Sequence, residues 1–229
     1  MNLQEKLSQS FKDLDSRLNG TESKSLRELR SRSFDYFKAQ GFPTNHDEEW
    51  KYTSLNKIVK RDFDFSSQVR SEISVEDIES FLCEGLDSYK LIFVNGVFNK
   101  SLSKFSSNEK FFVGSLKQGM NEMPEIINAH YGELADTKQS LVALNTAMAD
   151  EGAFVYVKKG VKLDKLVQIL FVNTNYEQSR MMQSRNLFVL EDLAEAQIFE
   201  RHQAFKQGHV FSNSVTESFV GNEAHFKHF

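Results

Sequence analysis

Residues 152–172 read Gly152-Ala153-Phe154-Val155-Tyr156-Val157-Lys158-Lys159-Gly160-Val161-Lys162-Leu163-Asp164-Lys165-Leu166-Val167-Gln168-Ile169-Leu170-Phe171-Val172. Two short apolar, β-branched and aromatic blocks flank a polar Lys-Lys-Gly turn, and neither shows the 3.6-residue period of a helix. The pattern persists to the end of the chain. After Ala153–Val157 and Leu166–Val172 come strand-like blocks at Asn186–Leu190, Ala196–Arg201, Val210–Val220 and Glu223–Phe229, separated by polar turns such as Asn173-Thr174-Asn175 and Glu191-Asp192. Leu170-Phe171-Val172 and Leu187-Phe188-Val189 stand 17 positions apart, a hint of repetition. The only prolines are Pro43 and Pro124, so this tail keeps a ladder donor at every residue. Successive strands without intervening helices fit a sandwich, a barrel or a β-solenoid.

Upstream the period changes. Leu3, Leu7, Phe11, Leu14 and Leu18 form a helical stripe, with Asn2 and Glu5 as a capping pair and Gly20 as its exit. A second helix starts near Thr21, carries Leu26, Leu29, Phe34 and Phe37, and ends at Gly41 before Phe42-Pro43. Thr44 to Glu49 predicts a third helix start, followed by Trp50, Tyr52, Leu55 and Ile58. Ser74 with Asp77 predicts a capping box opening a short helix with Ile78, Phe81 and Leu82. Leu91-Ile92-Phe93-Val94-Asn95-Gly96-Val97-Phe98 predicts a hairpin, Pro124 a helix start, and Ser140–Ala149 a helix stopped at Gly152. The chain therefore divides into a helical N-terminal domain (1–85), a mixed α/β connecting region (86–151) and a strand-built part (152–229).

Composition narrows function. With 229 residues, 28 basic against 32 acidic, and a net charge of −4, neither a broadly basic nucleic-acid grip nor a polybasic membrane patch is expected. No apolar run approaches the ~20 residues of a membrane span. The N-terminus has no secretory h-region, which points to the cytoplasm. The single Cys83 excludes an internal disulfide and a thiolate cage built from this chain alone, and its place after Phe81-Leu82 predicts a packed thiol.

Two further groups carry candidate chemistry. Four of the six histidines, His202, His209, His225 and His228, fall near the end. His225 and His228 are an odd number apart, as are His202 and His209, so neither pair faces one side of a single strand. Polar histidines rather than ligands are expected. Asp47-Glu48-Glu49 is expected to serve helix-start electrostatics. No Walker loop, dinucleotide fingerprint, zincin helix or nucleophile elbow is present. No catalytic, cofactor-binding or metal residue is assigned. The block Phe226-Lys227-His228-Phe229 ends the chain inside an apolar strand, which predicts either a fragment of a longer protein or pairing through an open edge, for instance as a homodimer.

Gly41-Phe42-Pro43 followed by Glu48-Glu49-Trp50-Lys51-Tyr52-Thr53 and Leu55 resembles the N-terminal signature of the SufB/SufD family of iron–sulfur cluster assembly proteins, on its SufD side. A second match is Ala143-Leu144-Asn145-Thr146-Ala147 with Gly152, Val155, Val157 and Gly160. The set Arg185-Asn186-Leu187, Glu191, Ala194–Ala196, Asn213, Val215, Glu217 and Ala224 is similar to later segments of the family. Two departures stand out: Glu191-Asp192-Leu193 replaces a glycine-containing turn, and Met148 stands where an aromatic is common. The resemblance implies an α+β chain in which a helical N-terminal domain is followed by a right-handed parallel β-helix, a single-stranded right-handed β-solenoid. It implies a non-catalytic scaffold in a complex with the paralogue SufB and a SufC-type ATPase, contacted through regions this chain lacks, and linked to iron acquisition. It implies no enzyme activity and no cofactor or metal bound by this segment; the near-neutral charge, for its part, argues for no nucleic-acid and no membrane partner. Two alternatives are a SufB-like paralogue carrying the nascent cluster, which the single Cys disfavours, and a carbohydrate-active β-solenoid enzyme, which the few acidic residues of the strand blocks disfavour.

Overall fold

The computed structural model describes residues 2–18, 22–65, 73–174, 179–205 and 209–229. The predicted roles of Gly20 and Thr21 at helix ends, and of Asn175 in a turn, lie outside the described residues. Helix α1 (Leu3–Leu18) buries Leu3, Leu7 and Leu14, and Phe11 stacks on Phe34 with ring centres 4.2 Å apart. Helix α2 (Lys24–Gln40) starts where Ser23 Oγ accepts from Leu26 N, and it ends where Gly41 N, at φ 73°, donates to Phe37 O. Its inner face holds Leu26, Phe34 and Phe37, together with the polar pair Arg30 and Ser33.

The third predicted helix is replaced by a 3-10 turn (Glu48–Trp50) and a one-turn helix α3 (Asn56–Val59). The reason is local. Asp47 Oδ2 accepts from Thr44 N and Thr44 Oγ1, a side-chain turn that competes with helix propagation behind Pro43. The capping box forms as expected at α4 (Val75–Glu79). Helices α5 (Leu116–Glu122), α6 (Pro124–His130) and α7 (Ser140–Met148) follow; α5 opens on a Ser115–Gln118 capping box.

Strands β2 (Tyr89–Val94) and β3 (Val97–Phe98) form the predicted hairpin, with Asn95 and Gly96 both at positive φ as a type I′ turn requires. The tail yields β5 (Ala153–Val157), β6 (Val167–Asn173), β7 (Ser179–Leu190), β8 (Glu195–Ala204), β9 (Val210–Val220) and β10 (His225–His228). Two further strands, β1 (Phe63–Asp64) and β4 (Phe111–Ser115), carry no separate signal in the sequence reading.

The strands make two five-stranded sheets. One runs β1-β7-β5-β4, with β9 on β7; the other runs β10-β8-β6-β2-β3. The expected α+β chain ending in a right-handed parallel β-helix is thereby corrected. The fold is mixed α/β, each sheet combines parallel and antiparallel strands, and no right-handed parallel solenoid is present among the described residues. The antiparallel pairs β2–β3 and β4–β5 overturn the expectation. Period-2 apolar blocks report that a strand is buried, not which neighbour it takes or in which direction. The 17-residue echo is not a ladder contact either: Phe171 pairs with His202 in one sheet, whereas Phe188 pairs with Val155 and Ser218 in the other. The alternative of a carbohydrate-active β-solenoid enzyme loses its architectural basis with this correction.

A core of Leu91, Phe93, Val155, Val157, Val167, Ile169, Phe171, Phe188, Leu190 and Ile198 fills the space between the sheets. A second cluster joins Leu3, Leu7, Phe34 and Phe37 to Leu144, Ala147 and Met181, seating the helices on the first sheet. Between α7 and β5, Gly152 sits at φ 155°, and a Cβ there would lie 1.8 Å from the Arg185 carbonyl oxygen. Gly152→Ala is therefore expected to cost about 3 kcal/mol or more, combining backbone strain with overpacking against immobile main chain. Urea denaturation followed by circular dichroism checks this; a loss below about 1 kcal/mol would refute the close-packed junction.

Candidate functional site: a buried charged junction

The helices and the first sheet meet at a set of polar side chains with almost no solvent contact. Arg185 on β7 faces Glu217 on β9, because the parallel register sets Leu187 opposite Glu217 and Arg185 two residues earlier on the same face. Arg185 Nη2 donates to Glu217 Oε2 at 2.6 Å, and the two side chains are 0% and 1% exposed. Arg185 Nε reaches the same oxygen at 3.2 Å, and Nη1 donates to Asn145 Oδ1 and Thr146 Oγ1 on α7. Glu217 also accepts from the backbone N–H groups of Gly132, Leu134 and Ala135, in the segment after α6. An ion pair this deep is tolerable only because other donors and acceptors take up what the pair leaves over.

Asn145 completes the joint. Its Nδ2 donates to Ser184 O and Asn213 O, both at 2.8 Å, so one helix side chain bridges two neighbouring strands. Arg30 on α2 does the same for the end of α7: Nη1 donates to the carbonyls of Thr146, Ala147 and Ala149, the last at 2.6 Å. Those carbonyls belong to the orphan C-terminal groups of α7, and a cation there also meets the negative end of the helix dipole. Glu22 neutralises Arg30 at 2.8 Å, with side chains 2% and 4% exposed respectively. The Tyr131 ring takes cation–π contacts from both guanidinium groups, 5.5 Å from Arg30 and 4.8 Å from Arg185. This arrangement fixes positions; it presents no nucleophile beside a base.

The histidines divide. His202, His209, His225 and His228 are all exposed, and two of them meet a common partner. His202 and His228 come together across strands, bracketing Glu200: His202 Nε2 lies 2.8 Å from Glu200 Oε1 and His228 Nε2 3.0 Å from Oε2. Asn186 Nδ2 also donates to Glu200 Oε1. Parity within one strand is a sound rule but is blind to partners on neighbouring strands. The usable signal was Glu200 with His202, two apart on β8 and hence on one face. Phe171 stacks on His202, and Phe188 takes His228 edge-on. Burial pushes the Glu200 carboxyl up, but hydrogen bonds from His202 and His228 outweigh it and hold it at about 2. Among the described residues no group of three or more His, Cys, Asp or Glu is placed to hold a metal ion.

A third feature went unread in the sequence. Glu151 borders a cavity of about 150 Å³ shared with Lys117, Asp150 and Gln183. Burial, then the Asp150 charge, raises its carboxyl to about 7, with Lys117 pulling against both. Cys83 is half-buried, and its backbone N–H donates to Gln168 Oε1 at 2.7 Å. Asp47, Glu48 and Glu49 lie on the surface around the 3-10 turn and serve no helix start.

Breaking the junction on one side leaves a buried charge. Arg185→Met is expected to destabilise by about 3–5 kcal/mol, and the double variant Arg185→Met/Glu217→Gln by clearly less than the sum of the singles. A denaturation double-mutant cycle reads this coupling, and additive losses would refute it. The two shifted carboxyls act in opposite directions on pH dependence. Glu151 is raised from 4.5 to about 7, so the folded chain holds its proton longer and stability declines as pH rises through that window. Glu200 is lowered from 4.5 to about 2, so its contribution is present above that window and lost as pH falls through it. Glu151→Gln is expected to flatten the decline in urea midpoint between pH 5 and 8; Glu200→Gln is expected to weaken the acid loss between pH 5 and 3.

Residues 1–169 match the family model described as the SufBD protein N-terminal region. The chain is 26% identical over 222 residues to an iron–sulfur cluster assembly SufBD family protein of Synechocystis sp., covering 92% of this chain and 48% of that protein. It is 24% identical over 190 residues to the iron–sulfur cluster assembly protein SufD of Escherichia coli, covering 82% of this chain and 42% of that protein. The chain thus spans about half the length of these curated relatives. With the match running from the first helix to the start of β6, the chain belongs to the SufBD family and carries its N-terminal region.

Proposed function

We propose that this chain is the N-terminal part of a non-catalytic scaffold subunit for iron–sulfur cluster assembly, working with a SufB-type paralogue and a SufC-type ATPase. The family match over residues 1–169 carries the reading. The names of the two relatives, both iron–sulfur cluster assembly proteins, support the process. The buried junction supports the scaffold role: Arg185 binds Glu217, Arg30 binds Glu22, and Arg30 and Glu217 also bind the backbone, so these groups are spent inside the chain rather than facing a cleft. A scaffold that relays nucleotide-driven movement needs a helical layer that does not slide on its sheet, and this joint ties α2, α7 and the segment after α6 to β7 and β9. The cluster is cargo in this scheme, handled by the assembled complex. The single Cys83 is half-buried and stands apart from the junction, which favours the SufD-like over the SufB-like side of the family.

The test is affinity purification of the natural, full-length gene product from its source cells. Co-purification of an ABC-type ATPase and a SufB-type paralogue, in a complex that yields protein-bound iron–sulfur cluster, is the expected result. Recovery of the full-length product without either partner would overturn the reading.

A further inference from the structure

Trp50 is the only tryptophan of the chain, and it is not part of any hydrophobic core. It lines a groove of about 670 Å³ whose walls are the segment 41–50 and the segment 136–141. The groove is built rather than incidental. Tyr36 Oη on α2 donates to Lys138 O at 2.5 Å, and Ser140 Oγ donates to Gly41 O, so the 136–141 wall is bonded both to α2 and to the start of the other wall. Phe42 is pinned edge-on against Phe37, with ring centres 5.2 Å apart. The apolar part of the lining is Tyr36, Phe42, Pro43, Trp50 and Leu141.

Charge is distributed unevenly along it. Asp47, Glu48, Glu49 and Asp136 line the groove against the single cation Lys138. Asp47 is occupied by Thr44, and Asp136 Oδ1 accepts from Lys138 N. The side-chain carboxylates of Glu48 and Glu49 make no hydrogen bond or ion pair with the described residues; the Glu48 carbonyl accepts from Lys51 N within the turn. They do not offset a helix dipole, since the turn they open has three residues. Just beyond the groove Tyr52 is 92% exposed. Trp50 is half-buried in the groove and outside every core cluster, and apolar surface left partly exposed with a polar rim marks interaction sites.

We propose that this groove docks an arginine-bearing segment of a partner protein. A guanidinium can lie flat on the indole face while forking onto a carboxylate, a combination an ammonium reproduces less well. The flanking Tyr36, Phe42 and Leu141 surfaces suit an apolar residue next to that arginine. The bonded walls reduce the ordering cost of binding. The inference goes beyond the scaffold reading, since it concerns a surface groove at the C-terminal end of α2 rather than the buried contacts of Arg30, Arg185 and Glu217.

The single tryptophan makes the test direct, because intrinsic emission reports the groove alone. The 229-residue chain is titrated with an acetylated, amidated Leu-Arg-Leu-Arg peptide and with its Lys and Glu counterparts. A saturable change in Trp50 emission is expected with the Arg peptide, several-fold weaker binding with Lys, and none with Glu. Glu48→Gln/Glu49→Gln is expected to weaken the Arg peptide about tenfold. Glu84→Gln/Glu109→Gln removes the same charge from exposed sites elsewhere and is expected to change little. Absence of a saturable response, or equal weakening by both double variants, would overturn the proposal; the latter would show attraction to net charge only. Both outcomes are independent of whether an ATPase co-purifies with the full-length product.

Discussion

The ion pair of Arg185 and Glu217 is the constraint around which the rest of the molecule is arranged. Burying both charges costs several kcal/mol per ion before any gain, and two bonds between them do not offset that. The fold answers by spending other elements on the pair. Three backbone amides after α6 point at Glu217, and two α7 side chains point at Arg185. Each of these donors and acceptors has to be in place at once, so the pair converts an energetic liability into positional specificity. A helix sliding by one turn along the sheet would leave a buried guanidinium without an acceptor, a far larger cost than losing an apolar contact.

The same logic explains why the helical layer and the sheet behave as one unit. Apolar packing alone is tolerant: Leu3, Leu7, Phe34 and Phe37 against Leu144 and Met181 would accept several nearby arrangements with small loss. Asn145, donating to two strands from one amide, and Arg30, collecting three carbonyls from one helix end, accept one arrangement. Gly152 is the covalent counterpart, since the chain must pass so near the Arg185 carbonyl that no side chain fits. Hydrophobic burial thus supplies the bulk of the stability, and the polar joint selects among the packings it permits.

Much of the element list was legible because its causes are local. The stripe from Leu3 to Leu14, the Ser74–Asp77 box, Asn95-Gly96 and Pro124 each act within a few residues, and each stands where it was expected. The errors lie where distance in sequence decides. The expected parallel β-helix failed because nothing in Phe111–Ser115 announces an antiparallel partner, Ala153–Val157, beyond three intervening helices. The third helix failed for a different reason: acidic residues after a proline satisfy the start rule, but the Asp47–Thr44 turn captures the donors first. The His202–Glu200–His228 group was missed because the rule applied to it concerned one strand, while the contact is made by two.

The residues that first suggested the family separate into two physical kinds. Asn145, Gly152, Arg185, Asn186, Asn213 and Glu217 converge on the interior: all but Gly152 are in its hydrogen-bond network, and Gly152 is there for closeness of backbone. Their identities follow from the fold, since each is the residue type its contacts require. Glu48, Glu49, Trp50 and Tyr52 do not converge on anything inside the chain. Tyr52 stands in water, Trp50 is half-buried outside every core cluster, and the two carboxylates have no side-chain partner among the described residues, so replacing any of them would leave the core as it is. A surface motif of that composition is accounted for by what it meets from outside. That contrast is what assigns the junction to architecture and the groove to recognition.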